Sequence, residues 1–391
     1  MTSPIPDDSM RTRVALIVAI SVLGVAIVAM GAWAVFRPHP RPGNRATFTP
    51  AQETTAAASS GASESASASA TGSVSVEATS SMTTAATEAP QSVGSQPARV
   101  AKVAYRLGGS IYVANEDGTS ARAVAKASDG KFALSPDART LAVVRGGSLL
   151  LYDVASGNLT TSALAEVVRP VWLPDSSAVL FMRVGPASAE IHRISSRGGS
   201  DVLVGTGAAA AVSPDGALLA LVPATGTTPR PEVLVSRNGQ AFVPVEVSGG
   251  DPIAVGLTNS RLFVSTISTS SGAAVWSSAA DGSDSRLLVK PGSVSPKGAT
   301  FGSLMPSPDG SNLMYAEESD DGYSRTWVVP SAGGTPLSLS STKDNYPVQW
   351  SVAGSEILFI EGNAFQGEPT ALYRVGPAGT QRTLEIKGAG L

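Results

Sequence analysis

The segment Leu134–Val144 reads LSPDARTLAVV, and nearly the same string returns as VSPDGALLALV at Val212–Val222 and PSPDGSNLMYA at Pro306–Ala316. Ser-Pro-Asp-Gly places a side-chain acceptor first, a ring-fixed φ second and a permissive glycine fourth, which is the pattern of a type I β-turn. An apolar pair follows six residues after the Ser: Leu141-Ala142, Leu219-Ala220 and Leu313-Met314. The turn therefore opens a strand.

Weaker copies keep this spacing in LPDSSAVLFM, with Val179-Leu180 six after Leu173, and in SVAGSEILFI, with Ile357-Leu358 six after Ser351. LTNSRLFV, from Leu257, is one residue shorter. The anchors Ser135, Leu173, Ser213, Leu257, Ser307 and Ser351 stand about 40 residues apart, the repeat length of a four-stranded propeller blade. Helical repeats share that period, but few segments place apolar residues three and four apart.

Each unit continues with an aromatic-bearing strand, a Gly-rich turn and a last short strand. Tyr112, Tyr152, His192, Trp276, Trp327 and Tyr373 stand at one position of SIYVANEDG, LLYDVASG, EIHRISSRGG, AVWSSAADG, RTWVVPSAGG and ALYRVGPAG. An earlier unit, VAYRLGGSIYVANEDGTSARAVA, has the later strands without the turn, so the count is seven with it and six without. The expected fold is all-β, a β-propeller of about seven four-stranded blades. Turn, apolar pair and aromatic strand recurring together over 98–391 resemble the WD40-like repeats of TolB-type β-propellers. That resemblance implies a fold, and propellers host many unrelated activities.

A different kind of chain precedes these repeats. After a short tail, residues 1–13, the stretch Val14–Phe36 carries no charge and is long enough as a helix to span a hydrocarbon core of roughly 30 Å. It reads as one transmembrane helix, a signal-anchor, with Trp33 and Phe36 near one end as interfacial aromatics. The competing reading is a cleaved secretory signal, because Ala32-Trp33-Ala34 fits the small-x-small pattern before a cleavage site.

Residues 37–97 read as a disordered linker. From Thr47 to Pro97 it is mostly Ala, Ser and Thr, charged only at Glu53, Glu64, Glu77 and Glu88, and it lacks the large apolar residues that would offset chain entropy. As a random coil it would reach roughly 40 Å. Arg11 and Arg13 precede the apolar stretch while Arg37, Arg41 and Arg45 follow it, so charge does not fix the orientation. Export of a long domain behind a single N-terminal apolar segment places the propeller outside the cell membrane, as a single-pass, membrane-anchored bacterial protein.

With 28 Lys+Arg against 31 Asp+Glu and no basic run in the repeats, nucleic acid is not an expected partner. The absence of cysteine removes disulfides, thiolate metal sites and thiol nucleophiles together. Of two histidines, His39 lies between two prolines and His192 stands in the aromatic slot, where it reads as a packing residue rather than a general base. No Gly-x-Ser-x-Gly elbow occurs.

VLVGTGAAAAV, Val202–Val212, imitates a dinucleotide fingerprint, but the turn at Ser213 arrives too soon for the helix which that chemistry requires. Glu317–Asp321, Asn115–Gly118 and Asp281–Asp284 offer hard oxygens for calcium, yet none completes an EF-hand loop and all read as solvated turns. No catalytic residue, cofactor or metal is assigned.

Ten residues after each anchor stand Arg145, Arg183, Pro223, Glu317 and Glu361, and Arg106 fits the same place in the first unit. Basic strand ends on early blades would then oppose acidic ones on late blades across one loop face, an arrangement suited to a charged peptide or protein segment. The bland alternative is that these charges merely solvate the rim. The expected function is a membrane-tethered, extracytoplasmic platform for an envelope protein or peptide. The alternative is an envelope enzyme or a glycan-binding lectin that uses acidic residues of the channel or loop face.

Overall fold

The computed structural model describes residues 100–390 except 127–130, 164–166, 185–187, 225–230, 293–298, 320–322, 343, 363–369 and 381. The expected tail, transmembrane helix and linker lie outside the described residues. Among those described, no helix is long and apolar enough to cross a membrane.

Seven antiparallel sheets follow one another along the chain, each strand pairing with its sequence neighbour. Blade 2 shows the plan: Phe132–Leu134, Thr140–Arg145, Ser148–Asp153 and Leu159–Ala163, in that order from the inner edge outward. Blades 3 to 7 repeat it over 167–206, 209–246, 251–289, 300–338 and 345–387. Blade 1 holds three named strands, Lys102–Leu107, Ser110–Asn115 and Arg122–Lys126, which correspond to the second, third and fourth of the others.

Its inner place is taken by the other end of the chain. Arg106 and Gly390 exchange both backbone hydrogen bonds, at 2.7 and 2.8 Å. Ala389 is fully buried beside Val103 and Tyr105 of blade 1 and Leu358, Ile360 and Leu372 of blade 7. Residues 284 positions apart in sequence are thereby joined, and the ring closes without an open inner edge.

The core lies between blades because each sheet presents both faces to its neighbours. Leu141, Val143 and Leu150 of blade 2 pack on Ile111 and Val113 of blade 1, while Ala142, Val144 and Leu149 from the same strands pack on Trp172 and Phe181 of blade 3. This is why the second strand reads as an apolar run instead of an alternating one.

The repeated turn folds as its residues require. Ala138, Gly216, Gly310 and Gly354 donate their N–H to the carbonyls of Ser135, Ser213, Ser307 and Ser351 at 2.8 to 2.9 Å. Ser135, Ser213 and Ser307 each donate Oγ–H to the turn Asp at 2.6 Å. Each of these Oγ atoms also accepts the N–H five residues on. The fourth turn residue has positive φ in every one of these copies, including Ala138 at 56°.

Two alignments differ from the sequence reading. In blade 5 the residue that plays the Ser part is Thr258, whose Oγ1 accepts from Arg261 N–H; it stands one place after Leu257. The aromatic slot is confirmed for His192, Trp327 and Tyr373, which face Phe181, Tyr315 and Phe359, each eight residues after its anchor. In blade 2 the equivalent pair is Val143 and Leu150. Tyr152 sits two residues further along its strand, opposite Leu141.

Candidate functional site

The ladder places five of the charges chosen from sequence, and four share one register. Arg145, Arg183, Glu317 and Glu361 stand two residues beyond the slot-facing position. In blade 1 the slot pair is Tyr105 and Tyr112, so Leu107 holds that register and Arg106 is one residue short of it. Side chains alternate along a strand, so Arg106 points to the opposite face of its sheet from the other four.

Three of these charges are engaged inside their own blades. Arg183 lies 3.4 Å from Asp201, which also stands 2.6 Å from His192 Nδ1. The opposite ring nitrogen, Nε2, meets Glu190 at 3.0 Å, and the imidazole stacks on Phe181 with centroids 5.6 Å apart. His192 therefore fills an aromatic place, as expected, and is also clamped between two carboxylates. Blade 7 has the same latch with the signs exchanged. Arg382 enters the fourth strand, where Asp201 does in blade 3, ion-pairs with Glu361 and lies 3.7 Å over the Tyr373 ring.

Glu317 is buried at 1% exposure and accepts from Trp327 Nε1 at 2.5 Å, with Arg325 at 3.8 Å. Burial first, then the Glu317 charge, pushes the neighbouring Tyr315 hydroxyl well above the ordinary tyrosine range. Arg145 is exposed. The charges thus stand one to a blade; of the four in register Arg145 is exposed, Arg183 and Glu361 are half-buried and Glu317 is buried.

The carboxylates weighed as calcium ligands form turns where they are described. Asp117 and Asp281 accept from the side chain and N–H of Thr119 and Ser283 respectively, and those hydrogen bonds hold them below the usual carboxylate range. Residues 320 and 321 of the third cluster lie outside the described residues. Among those described, no group of three potential ligands is gathered for a metal.

A cavity lies at the end of the ring that carries the Ser-Pro-Asp-Gly turns. It encloses about 520 Å³, within the 300–1,000 Å³ of ordinary ligand pockets. Pro136, Pro174, Pro214 and Pro308, the second residues of four turns, line it together with Val352 in the same place of a fifth. The residues just before the turns, among them Trp172, Pro306 and Trp350, complete the wall.

Both indoles are fixed, since Trp172 Nε1 donates to Ala133 O at 2.9 Å and Trp350 Nε1 to Met305 O at 2.8 Å, each on the preceding blade. The polar lining is also engaged: Gln349 Nε2 donates to Lys102 O and Glu116 Oε1, and Lys102 Nζ to Asn115. What the mouth offers is rigid, mostly apolar surface with one ammonium at its edge. The sequence displayed these prolines, but as turn formers; their convergence depends on the ring.

No family model and no curated protein sequence matches the chain. Among solved structures it is similar to a prolyl endopeptidase at 15% identity and TM-score 0.55, covering 75% of this chain and 49% of that one. It is similar to prolyl oligopeptidase B from Galerina marginata at 13% and 0.52, covering 71% and 47%. TolB from Acinetobacter baumannii is similar at 14% and 0.46, covering 74% and 65%. The chain spans about half the length of the two prolyl peptidases. At these identities the likeness is one of fold, the β-propeller.

Proposed function

We propose that this protein is a membrane-tethered, extracytoplasmic platform that receives a segment of an envelope protein at the mouth formed by its Ser-Pro-Asp-Gly turns. One observation carries the reading: a cavity of about 520 Å³ walled by prolines and two anchored tryptophans drawn from separate blades. Preformed rings of this kind lose little entropy on binding and favour an apolar or proline-bearing segment. The single ammonium, Lys102, suits a carboxylate flanking that segment.

The tether rests on the uncharged stretch Val14–Phe36 and the Ala/Ser/Thr-rich run that follows it. The enzyme or lectin alternative draws less support, because Glu317 and Glu361 stand on separate blades and are each engaged within their own.

The test is recovery of partners on the full chain extracted in mild detergent, comparing the wild type with Val352→Glu and Pro174→Glu. Loss of the same partner in both variants, with unchanged melting, is expected. Retention of every partner by both would sink the mouth as the binding site. For the topology, protease added to intact protoplasts is expected to release a propeller-sized fragment; protection until lysis would reverse it.

A further inference from the structure

Blade 1 differs from the others at one place on its inner edge. Tyr105 holds the slot position there, and Ala104 is the residue just before it. In each of the other six blades the equivalent residue is matched by one of the inner strand, as Ala142 is by Ala133, Leu180 by Val171 and Leu358 by Gln349. Among the described residues nothing of an inner strand stands opposite Ala104. Its amide and carbonyl nevertheless point that way. Arg106 directs both of its backbone groups inward to Gly390, and alternation along the strand turns those of Ala104 to the same side. Two residues before, Lys102 N–H donates to Val100 O at 2.8 Å and Lys102 O accepts from Gln349 Nε2 at 3.0 Å. Ala104 thus lies between two engaged neighbours, with no hydrogen bond to its inward N–H or C=O among the described residues.

We propose that an extended protein segment entering at the mouth adds a strand at this place, accepting from Ala104 N–H and donating to Ala104 C=O. Val100, Lys102 and Gln349 line the mouth, and Ala104 follows Lys102 by about 7 Å along the strand, so the place continues the cavity inward. Ala104 is 7% exposed, so water reaches these groups poorly, and covered backbone groups without partners are costly. The segment reaches them by displacing the Gln349 side chain from Lys102 O. The amide that meets Ala104 C=O cannot be a proline's, because proline has no N–H. The occupant is therefore an uncharged, extended stretch with a non-proline residue at that point. Main-chain bonds of this kind supply affinity, while pockets such as the mouth supply selection. The inference rests on the mouth as the binding site and adds the mode of binding.

Hydrogen–deuterium exchange on the full chain in mild detergent tests it. The probe is the synthetic peptide Phe-Ala-Leu-Ser-Pro, which copies the inner strand of blade 2 and the two residues after it. Without peptide, the Ala104 amide should exchange faster than that of Ala142, its paired counterpart in blade 2. Peptide at about ten times its Kd should slow Ala104 roughly tenfold. The same peptide N-methylated at its alanine cannot donate to Ala104 C=O and should give no such protection. An Ala104 amide as slow as that of Ala142 before peptide is added would mean that the place is already filled, and would overturn the proposal. So would equal protection by the methylated peptide, or no binding at about 1 mM. Val352→Glu and Pro174→Glu separate this claim from the mouth: both variants should lose the protection. Protection that survives in both would keep the added strand and remove the mouth as its entrance. Peptide binding that both variants abolish, but that leaves Ala104 unprotected in the wild type, would keep the mouth and overturn the added strand.

Discussion

The two ends of the ring are built from the same seven repeats yet present opposite chemistry. At the turn end, Ser Oγ and Asp Oδ1 hydrogen bonds absorb the polar groups of the motif, and the ring-locked prolines between them are left facing a common mouth. At the strand-end face the repeats diverge, and charge varies from blade to blade. A motif constrained by its own turn chemistry yields a uniform rim, whereas positions free of that constraint can differ. The turn end is therefore suited to one concave site.

The largest effect should come from the indoles that tie neighbouring blades at the turn end. Trp350→Ala removes a ring that is 3% exposed and should cost about 3–5 kcal/mol, read as a lowered denaturation midpoint. Trp350→Phe, which loses chiefly the bond to Met305 O, should cost about 1 kcal/mol. Equal losses would show that the hydrogen bond, not the packing, holds the blades.

Next stands the latch of blade 3. Asp201→Ala leaves Arg183 and His192 without their shared carboxylate and should destabilise by about 1–3 kcal/mol. Arg145→Ala, at an exposed strand end in the same register as Arg183, should stay within about 0.5 kcal/mol. Similar costs for the two would erase the distinction between engaged and solvated charges.

At the turn end, Ala138 holds the left-handed place that glycine takes in three sister turns. Ala138→Gly relieves that strain against a larger unfolded-state entropy, so a net gain of up to about 1 kcal/mol is expected in chemical denaturation. The smallest effect is acid dependence. Hydrogen bonds from Ser307 Oγ and from Ser311 hold the Asp309 carboxyl below its usual range. Its contribution is then present above the unfolded value of about 3.9 and lost as pH falls through the lower folded one. Asp309→Asn should melt lower than the wild type at neutral pH, with the gap closing in acid. A gap independent of pH would mean that the carboxylate charge is not what the turn uses.

Much of this architecture could be read in advance because it is local. Ser-Pro-Asp-Gly dictates its own turn, and the apolar run after it follows from burial on both faces. Reading failed where the ring or a loop intervened. Tyr152 slipped by two residues, and Arg106 by one because blade 1 has no turn to count from. The latches were hidden for another reason: Arg183 and Asp201, or Glu361 and Arg382, meet only across an intervening strand.

The central claim is that the turn end receives a protein segment, and site-specific photocrosslinking in intact cells tests it most directly. A photoreactive residue would replace Pro174 or Val352 at the mouth, and, in separate strains, Leu384 on the outer edge of blade 7. The account predicts one shared crosslinked protein from both mouth positions and none of that species from Leu384. Crosslinks confined to Leu384, with both mouth positions silent, would contradict it.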